Sequence, residues 1–157
     1  MDVSIARQED SAASRWMLET LTARLPEWFG QSEANRHYAE QAERLEVWTA
    51  HTDGRLCGLL LVKRHGPVSA EIYWLGVDPD HHRQGIGRAL VGAVERQLRE
   101  ESVKYLFVMT LHPDDPYEPY RRTRFFYERM GFELALSSGR VVAMSSSDRL
   151  AYYLKPL

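Results

Sequence analysis

Apolar residues along this chain switch repeatedly between a period of two and a period near 3.6, and each switch marks a change of element. Val3 to Ala6 alternates as a short first strand. Asp10 or Ser11 then caps a helix running to Leu25, with Trp16, Leu18, Leu21 and Leu25 among its apolar positions and Pro26 as its stop. Ser32 or Glu33 opens a second helix to about Leu45, with an acidic side given by Glu33, Glu40, Glu43 and Glu46. Val47 to His51 and Leu56 to Val62 read as antiparallel strands joined through Thr52-Asp53-Gly54-Arg55, a strong hairpin signal. A turn at His65-Gly66-Pro67 leads into Glu71 to Val77, mostly apolar on both faces, which is the mark of a strand in the middle of a sheet. Ile86, Leu90, Val94 and Leu98 then recur as a helical stripe. Tyr105 to Thr110 is a strand, parallel to Glu71–Val77 because a helix separates the two. His112 to Pro119 is a proline-rich loop, and Arg121 to Met130 a helix capped by Gly131. Phe132 to Leu136, a polar hairpin or loop over Ser137 to Ser147, and a closing strand Leu150 to Leu154 complete the chain. With 157 residues, no repeat and no linker, residues 1–157 form one domain.

The rest of the chain is organised around the junction of the buried strand with the helix that follows. Asp78-Pro79-Asp80 breaks the strand, and a basic, glycine-containing loop leads into the helix. The first turn of a helix presents unpaired N–H groups and the positive end of the macrodipole. Glycines at 85 and 87 would let an anion approach those groups, with Arg83 and Arg88 adding charge, so the loop reads as a phosphate cradle. A Walker loop would need Gly-Lys-Ser/Thr where Gly87-Arg88-Ala89 stands, and a dinucleotide fingerprint a third glycine where Leu90 stands. The alternative is an ordinary strand–helix turn. A second segment of note is Phe126-Tyr127 with Gly131-Phe132, where the residues by themselves make Tyr127 a core aromatic on an amphipathic helix.

Together these two segments resemble the GNAT superfamily of N-acetyltransferases. Leu75-Gly76-Val77 followed by His82-Arg83-Gln84-Gly85-Ile86-Gly87 is similar to the family's strand-end Leu-x-Val and Arg/Gln-x-x-Gly-x-Gly/Ala loop, with His82 standing where arginine or glutamine is usual. Phe126-Tyr127 with Gly131-Phe132 is similar to its FYxxxGF signature. The resemblance covers nearly the whole chain and implies an α/β (α+β) fold: a mixed, mostly antiparallel sheet with a splayed parallel strand pair, flanked by helices. It implies an acyl-CoA-dependent N-acyltransferase moving acetyl from acetyl-CoA to a primary amine by direct attack in a ternary complex. The cofactor contacts it implies are Leu75, Gly76, Val77, His82, Arg83, Gln84, Gly85, Ile86, Gly87, Arg88, Ala89 and Tyr127, and Tyr127 becomes the candidate acid for the leaving thiolate. Many members carry asparagine seven residues before that tyrosine; Tyr120 stands here, so that contact does not transfer. A non-catalytic acyl-CoA sensor, or an interaction module retaining the fold, are the rival classes.

Glu71 is the other unusual residue. A carboxylate in an apolar strand carries a desolvation penalty that favours its protonated form, the property of a useful base. Some lysine-acetylating branches of the family have a glutamate at this distance before the strand-end valine. Equally, a turn centred on Pro67 puts Lys63 opposite Glu71 as a cross-strand ion pair. For the acceptor side, Trp28, Phe29 and Glu33 suit a cationic small-molecule or peptide amine with an apolar part; they also read as core caps and a solvated charge.

Composition narrows the partners. Hydrophobic residues make up 44%, charged residues 27%, and the net charge is −2, so a nucleic-acid face is not expected. The lone Cys57 sits in an apolar run, as a buried thiol in a reducing compartment would. No apolar run spans a membrane and MDVSIARQED is no signal peptide, which points to the cytoplasm. His81 and His82 are adjacent and read as exposed loop residues; with no CxxC or HExxH, no metal is expected. The resemblance also allows a homodimer through the final strands.

Overall fold

The computed structural model describes residues 2–140 and 149–157. Strand β1 (Val3–Gln8) is followed by helices α1 (Ser11–Ala23) and α2 (Ser32–Ala42). Then come β2 (Glu46–Thr52), β3 (Arg55–Arg64), β4 (Ser69–Val77), α3 (Ile86–Glu100), β5 (Tyr105–Leu111), α4 (Glu118–Arg129), β6 (Glu133–Arg140) and β7 (Arg149–Pro156). They form one seven-stranded sheet in the order β1-β2-β3-β4-β5-β7-β6, antiparallel except between β4 and β5. The mixed sheet expected from the sequence is therefore the one observed.

The sheet separates two apolar layers. On one side α3 lays Ile86, Leu90, Val94 and Leu98, each at most 1% exposed, against Leu60, Val62, Ile72, Leu106 and Val108, with Tyr127, Phe132 and Tyr153 closing the layer. Burying each of those α3 side chains contributes about 1.5–3 kcal/mol, so the four-residue stripe alone holds the helix on the sheet. On the other side Leu18 and Leu21 of α1 and Ala39 and Ala42 of α2 pack on Val47, Leu59, Leu61 and Trp74.

Several element boundaries differ from expectation. Helix α1, capped by the Asp10 carboxylate accepting from Ala13 N–H at 2.9 Å, ends at Ala23, short of Pro26. Helix α4 begins at Glu118 with Pro119 in its first turn, a position where a missing N–H costs nothing. The polar stretch expected as a hairpin or loop at Ser137–Ser147 starts as strand, since β6 runs to Arg140; residues 141–148 lie outside the described residues.

Candidate active site

The strand β4 and its neighbour β5 part company partway along. They pair from Ser69↔Tyr105 to Ile72↔Val108, and beyond those residues β4 is bonded to β3 and β5 to β7. Just at the fork β4 carries a bulge: Leu61 faces Trp74 and Val62 faces Ile72, leaving Tyr73 as the extra residue. Tyr73 and Trp74 consequently both lie on the α1/α2 side, while Leu75 and Val77 return to the α3 side. The Trp74 ring leans over Gly76, where a Cβ would sit 2.2 Å from it, and Phe29 stacks on its outer face at 4.9 Å. Gly76 is thus a packing requirement.

Past Val77 the chain curls into the N-terminus of α3. Asp78 caps a short 3-10 turn, Pro79–His81, and is tied at 2.8 Å to Arg24 at the end of α1. His81 and His82 are half-buried, not exposed as the sequence suggested. The turn folds the loop back on β4, so that His82 Nε2–H donates to the Val77 carbonyl at 2.7 Å and the ring meets Trp28 edge-on at 5.6 Å. Arg83 and Gly85 take left-handed φ values of 63° and 80°. The first bond of α3 runs from Ala89 N–H to the Gly85 carbonyl, 2.9 Å, and no side chain among the described residues caps the helix. The N–H groups of Ile86, Gly87 and Arg88 therefore have no intrahelical acceptor. The space beside Gly85 is open, with nothing within 4 Å of an added Cβ. Arg83 and Arg88 stand exposed beside it, and a groove of about 480 Å³ continues past Arg88, Arg96 and Arg129. Helix end, open glycine and cationic groove suit the diphosphate of a nucleotide cofactor. The missing side chain at Gly87 serves packing. Its added Cβ would lie 3.3 Å from Phe126 of α4, so the glycine admits close approach of the two helices.

Helix α4 brings Tyr127 to the same side. The helix ends in a Schellman motif, with Phe132 N–H bonded to the Tyr127 carbonyl at 3.0 Å, Gly131 N–H to Glu128 at 3.0 Å, and Gly131 at φ 93°. The Tyr127 ring is 4% exposed and wedged edge-on between Phe126 (5.1 Å) and Phe132 (5.4 Å). Burial, and secondarily the Tyr120 phenol, push its ionisation well above the ordinary phenol range, so it carries its proton at neutral pH. Arg124 is 6% exposed and anchors the helix to the end of β5 and to the loop after it by bonds to the carbonyls of Leu111 (3.1 Å) and Asp115 (3.0 Å).

Thr110 escaped the sequence reading. It lies on β5 two residues beyond the last pair with β4, in phase with Leu106 and Val108 and hence on the α3/α4 side. It is 5% exposed, and its hydroxyl has no hydrogen-bond partner among the described residues. Threonine is ordinary in a strand, so only the fork makes it unusual.

Glu71 stands one residue before the fork, on the opposite face. Its register with Lys63 is as expected, but the ion pair is not formed: Lys63 Nζ turns over the Tyr73 ring at 5.2 Å, and the carboxylate instead meets His65 Nε2 at 2.7 Å. Around it lie Phe107, 5.1 Å from the His65 ring, Tyr73, bonded to His37 at 2.8 Å, and Tyr38. Tyr38 is pushed up to about 12 by burial first, with the Tyr73 phenol and the Glu71 carboxylate contributing.

Trp28 is engaged elsewhere. Its indole N–H donates to the Pro119 carbonyl (3.1 Å) and Thr123 hydroxyl (3.2 Å), and Tyr120 donates to the Trp28 carbonyl at 2.8 Å. The segment after α1 is thereby pinned to α4 beside His82. Glu33 is exposed in the first turn of α2 and makes no hydrogen bond or ion pair among the described residues. Among the described residues no three histidine, cysteine, aspartate or glutamate side chains group as metal ligands.

Comparison with known proteins agrees with this arrangement. Residues 43–134, which include the fork, the α3 cradle and Tyr127, match the family model described as Acetyltransferase (GNAT) domain. A mycothiol acetyltransferase of Thermomonospora curvata is 31% identical over 118 residues, 74% of this chain, although the chain spans only a third (33%) of that relative's length. Among solved structures, a GNAT-family protein from Desulfovibrio desulfuricans superposes with a TM-score of 0.84 at 20% identity, covering 99% of both chains. A GNAT acetyltransferase from Elizabethkingia anophelis with acetyl-CoA bound gives 0.73 at 14% identity, covering 99% of this chain and 98% of that one. The chain belongs to the GNAT family of acetyltransferases.

Proposed function

We propose that the chain transfers the acetyl group of acetyl-CoA to a primary amine, small-molecule or peptide, within a ternary complex. The observation that carries this reading is the fork itself: an uncapped helix end and a buried phenol lie on one face, a buried carboxylate among aromatic rings on the other. Two reactants could meet there from opposite sides of the sheet. Acetyl-CoA, when bound, supplies the activated acyl carbon and a thiol leaving group.

The chain's own groups divide the work as follows. N–H groups of Ile86, Gly87 and Arg88 hold the diphosphate, with Arg83 and Arg88 beside them. A backbone N–H near Leu75–Val77, past the last pair with β5, faces the thioester oxygen. Glu71 removes a proton from the incoming ammonium, directly or through water, and Tyr127 returns one to the departing sulfur. Trp28 and Phe29 are committed to packing and hold their segment against α4 and Trp74. Aromatic faces next to a carboxylate suit a cationic acceptor with an apolar part.

Thr110 joins the cofactor residues in this reading, its hydroxyl bonding the pantetheine arm in the fork. A buried hydroxyl left unpaired costs about 1–3 kcal/mol. Thr110→Val is therefore expected to raise the thermal midpoint of the ligand-free protein by about 2–4 °C. The same change should weaken CoA binding about 5-fold to 10-fold. A variant with lower stability and unchanged affinity would place the hydroxyl in a structural role.

The direct test of the function is calorimetric titration with acetyl-CoA followed by a panel of cationic amines. Micromolar binding with transfer to at least one amine is expected. Binding without turnover over a broad panel would favour an acyl-CoA sensor, and no binding would leave only the fold.

A further inference from the structure

The contact between Glu71 and His65 joins two residues of different exposure: the carboxylate side chain is 10% exposed and the imidazole 35%. His65 belongs to the turn between β3 and β4, which its own N–H closes by donating to the Ser69 carbonyl at 3.1 Å. Its ring is braced against Phe107 of β5. Turn and ring contact together fix Nε2 at 2.7 Å from Glu71 Oε1. Lys63, the cation that strand register would supply to Glu71, is held over Tyr73 instead. The other titratable groups facing this pocket, Tyr38 and Tyr73 with His37 behind them, make no hydrogen bond to Glu71. A buried carboxylate held by a partner on one oxygen is oriented by that partner.

We propose that His65 is a positioning residue for Glu71: its Nε2–H holds Oε1, leaving Oε2 as the oxygen that receives the acceptor's proton. This rests on the role given to Glu71 above. The amine proton ends on Oε2, and no proton leaves His65 in the step. The imidazole acts through geometry, since a carboxylate rotated off its line to the ammonium loses about 100-fold for a displacement near 1 Å.

A set of variants and one spectroscopic measurement test this. His65→Leu should lower kcat for amine acetylation about 10-fold to 100-fold with the KM for acetyl-CoA nearly unchanged. In His65→Gln the side-chain amide N–H can reach the same oxygen, so most of the rate should return. In a Glu71→Gln background, His65→Leu should cause no further loss, as expected for residues acting as a unit. Wild-type kcat in His65→Leu, or losses that multiply in the double variant, would overturn the proposal. The nitrogen-15 signals of the His65 ring test the contact without any acceptor. Nε2 should carry the proton, shifted far downfield, and lose that shift in Glu71→Gln; a ring indifferent to Glu71→Gln also overturns the proposal. Failure of wild type to acetylate any amine, with that signature intact, would remove the enzymatic reading and not the contact.

Discussion

Tyr127→Phe is expected to lower kcat for acetyl transfer by about 10²-fold to 10⁴-fold, the usual worth of a positioned proton donor, while CoA affinity stays within a few fold. The substitution is clean because the ring does the packing. Phe126 and Phe132 clamp it edge-on, and the Schellman motif that sets its height depends on the backbone carbonyl of residue 127 and on Gly131, all retained in the variant. What is lost is one buried proton. Burial holds that proton on the phenol, which by itself makes Tyr127 a poor acid. The same dry environment destabilises a thiolate formed beside it, so donor and acceptor rise together and transfer stays feasible. A variant with full turnover, measured with the amine that the panel identifies, removes Tyr127 from the chemistry and leaves it a core aromatic.

How much of this was legible beforehand follows from the range of each interaction. Helix α3 and strands β2 to β5 were visible because their apolar periodicity reflects contact with the apolar layers on the two faces of the sheet, a signal repeated along each element. The open, uncapped helix end after Gly85 was visible because its residues are consecutive in sequence. The fork was not: nothing local states that two parallel strands separate after Ile72 and Val108, and only the family resemblance suggested it. The bulge escaped notice because Tyr73 and Trp74 are both apolar, so displacing one residue left no break in composition. Register placed Lys63 opposite Glu71 correctly, yet a long side chain has a choice of partners, and Tyr73 takes it. His65, assigned to a turn, supplies the contact instead. Gly87 looked like a second glycine for the anion, although the space it leaves is taken by Phe126, distant in sequence. Pro119 did carry a usable signal, since proline is favoured in the first turn of a helix.

The two glycines of the loop should therefore respond differently, and Gly85→Glu should have the largest effect on binding. Residue 85 is at φ 80°, so any side chain costs about 1–2 kcal/mol of left-handed strain, but the space around it is open and nothing has to move. For a chain of this size that strain lowers the thermal midpoint by several degrees and leaves the protein folded. The added carboxylate would stand at the N-cap of α3, where it can accept from the free N–H groups and repel a diphosphate. Both effects act only on an anion bound at that helix end. Acetyl-CoA affinity measured by calorimetry is expected to fall at least about 100-fold, or ~2.7 kcal/mol. Gly85→Ala, with the strain but no charge, separates the two causes and should stay within about 10-fold of wild type. Gly87→Ala should act instead by forcing Phe126 away, shifting α4 against α3 and lowering stability before affinity. Were Gly85→Glu to bind acetyl-CoA as tightly as wild type, the open helix end would not be the diphosphate site. The cationic groove past Arg88, Arg96 and Arg129 would then have to hold the phosphates by itself.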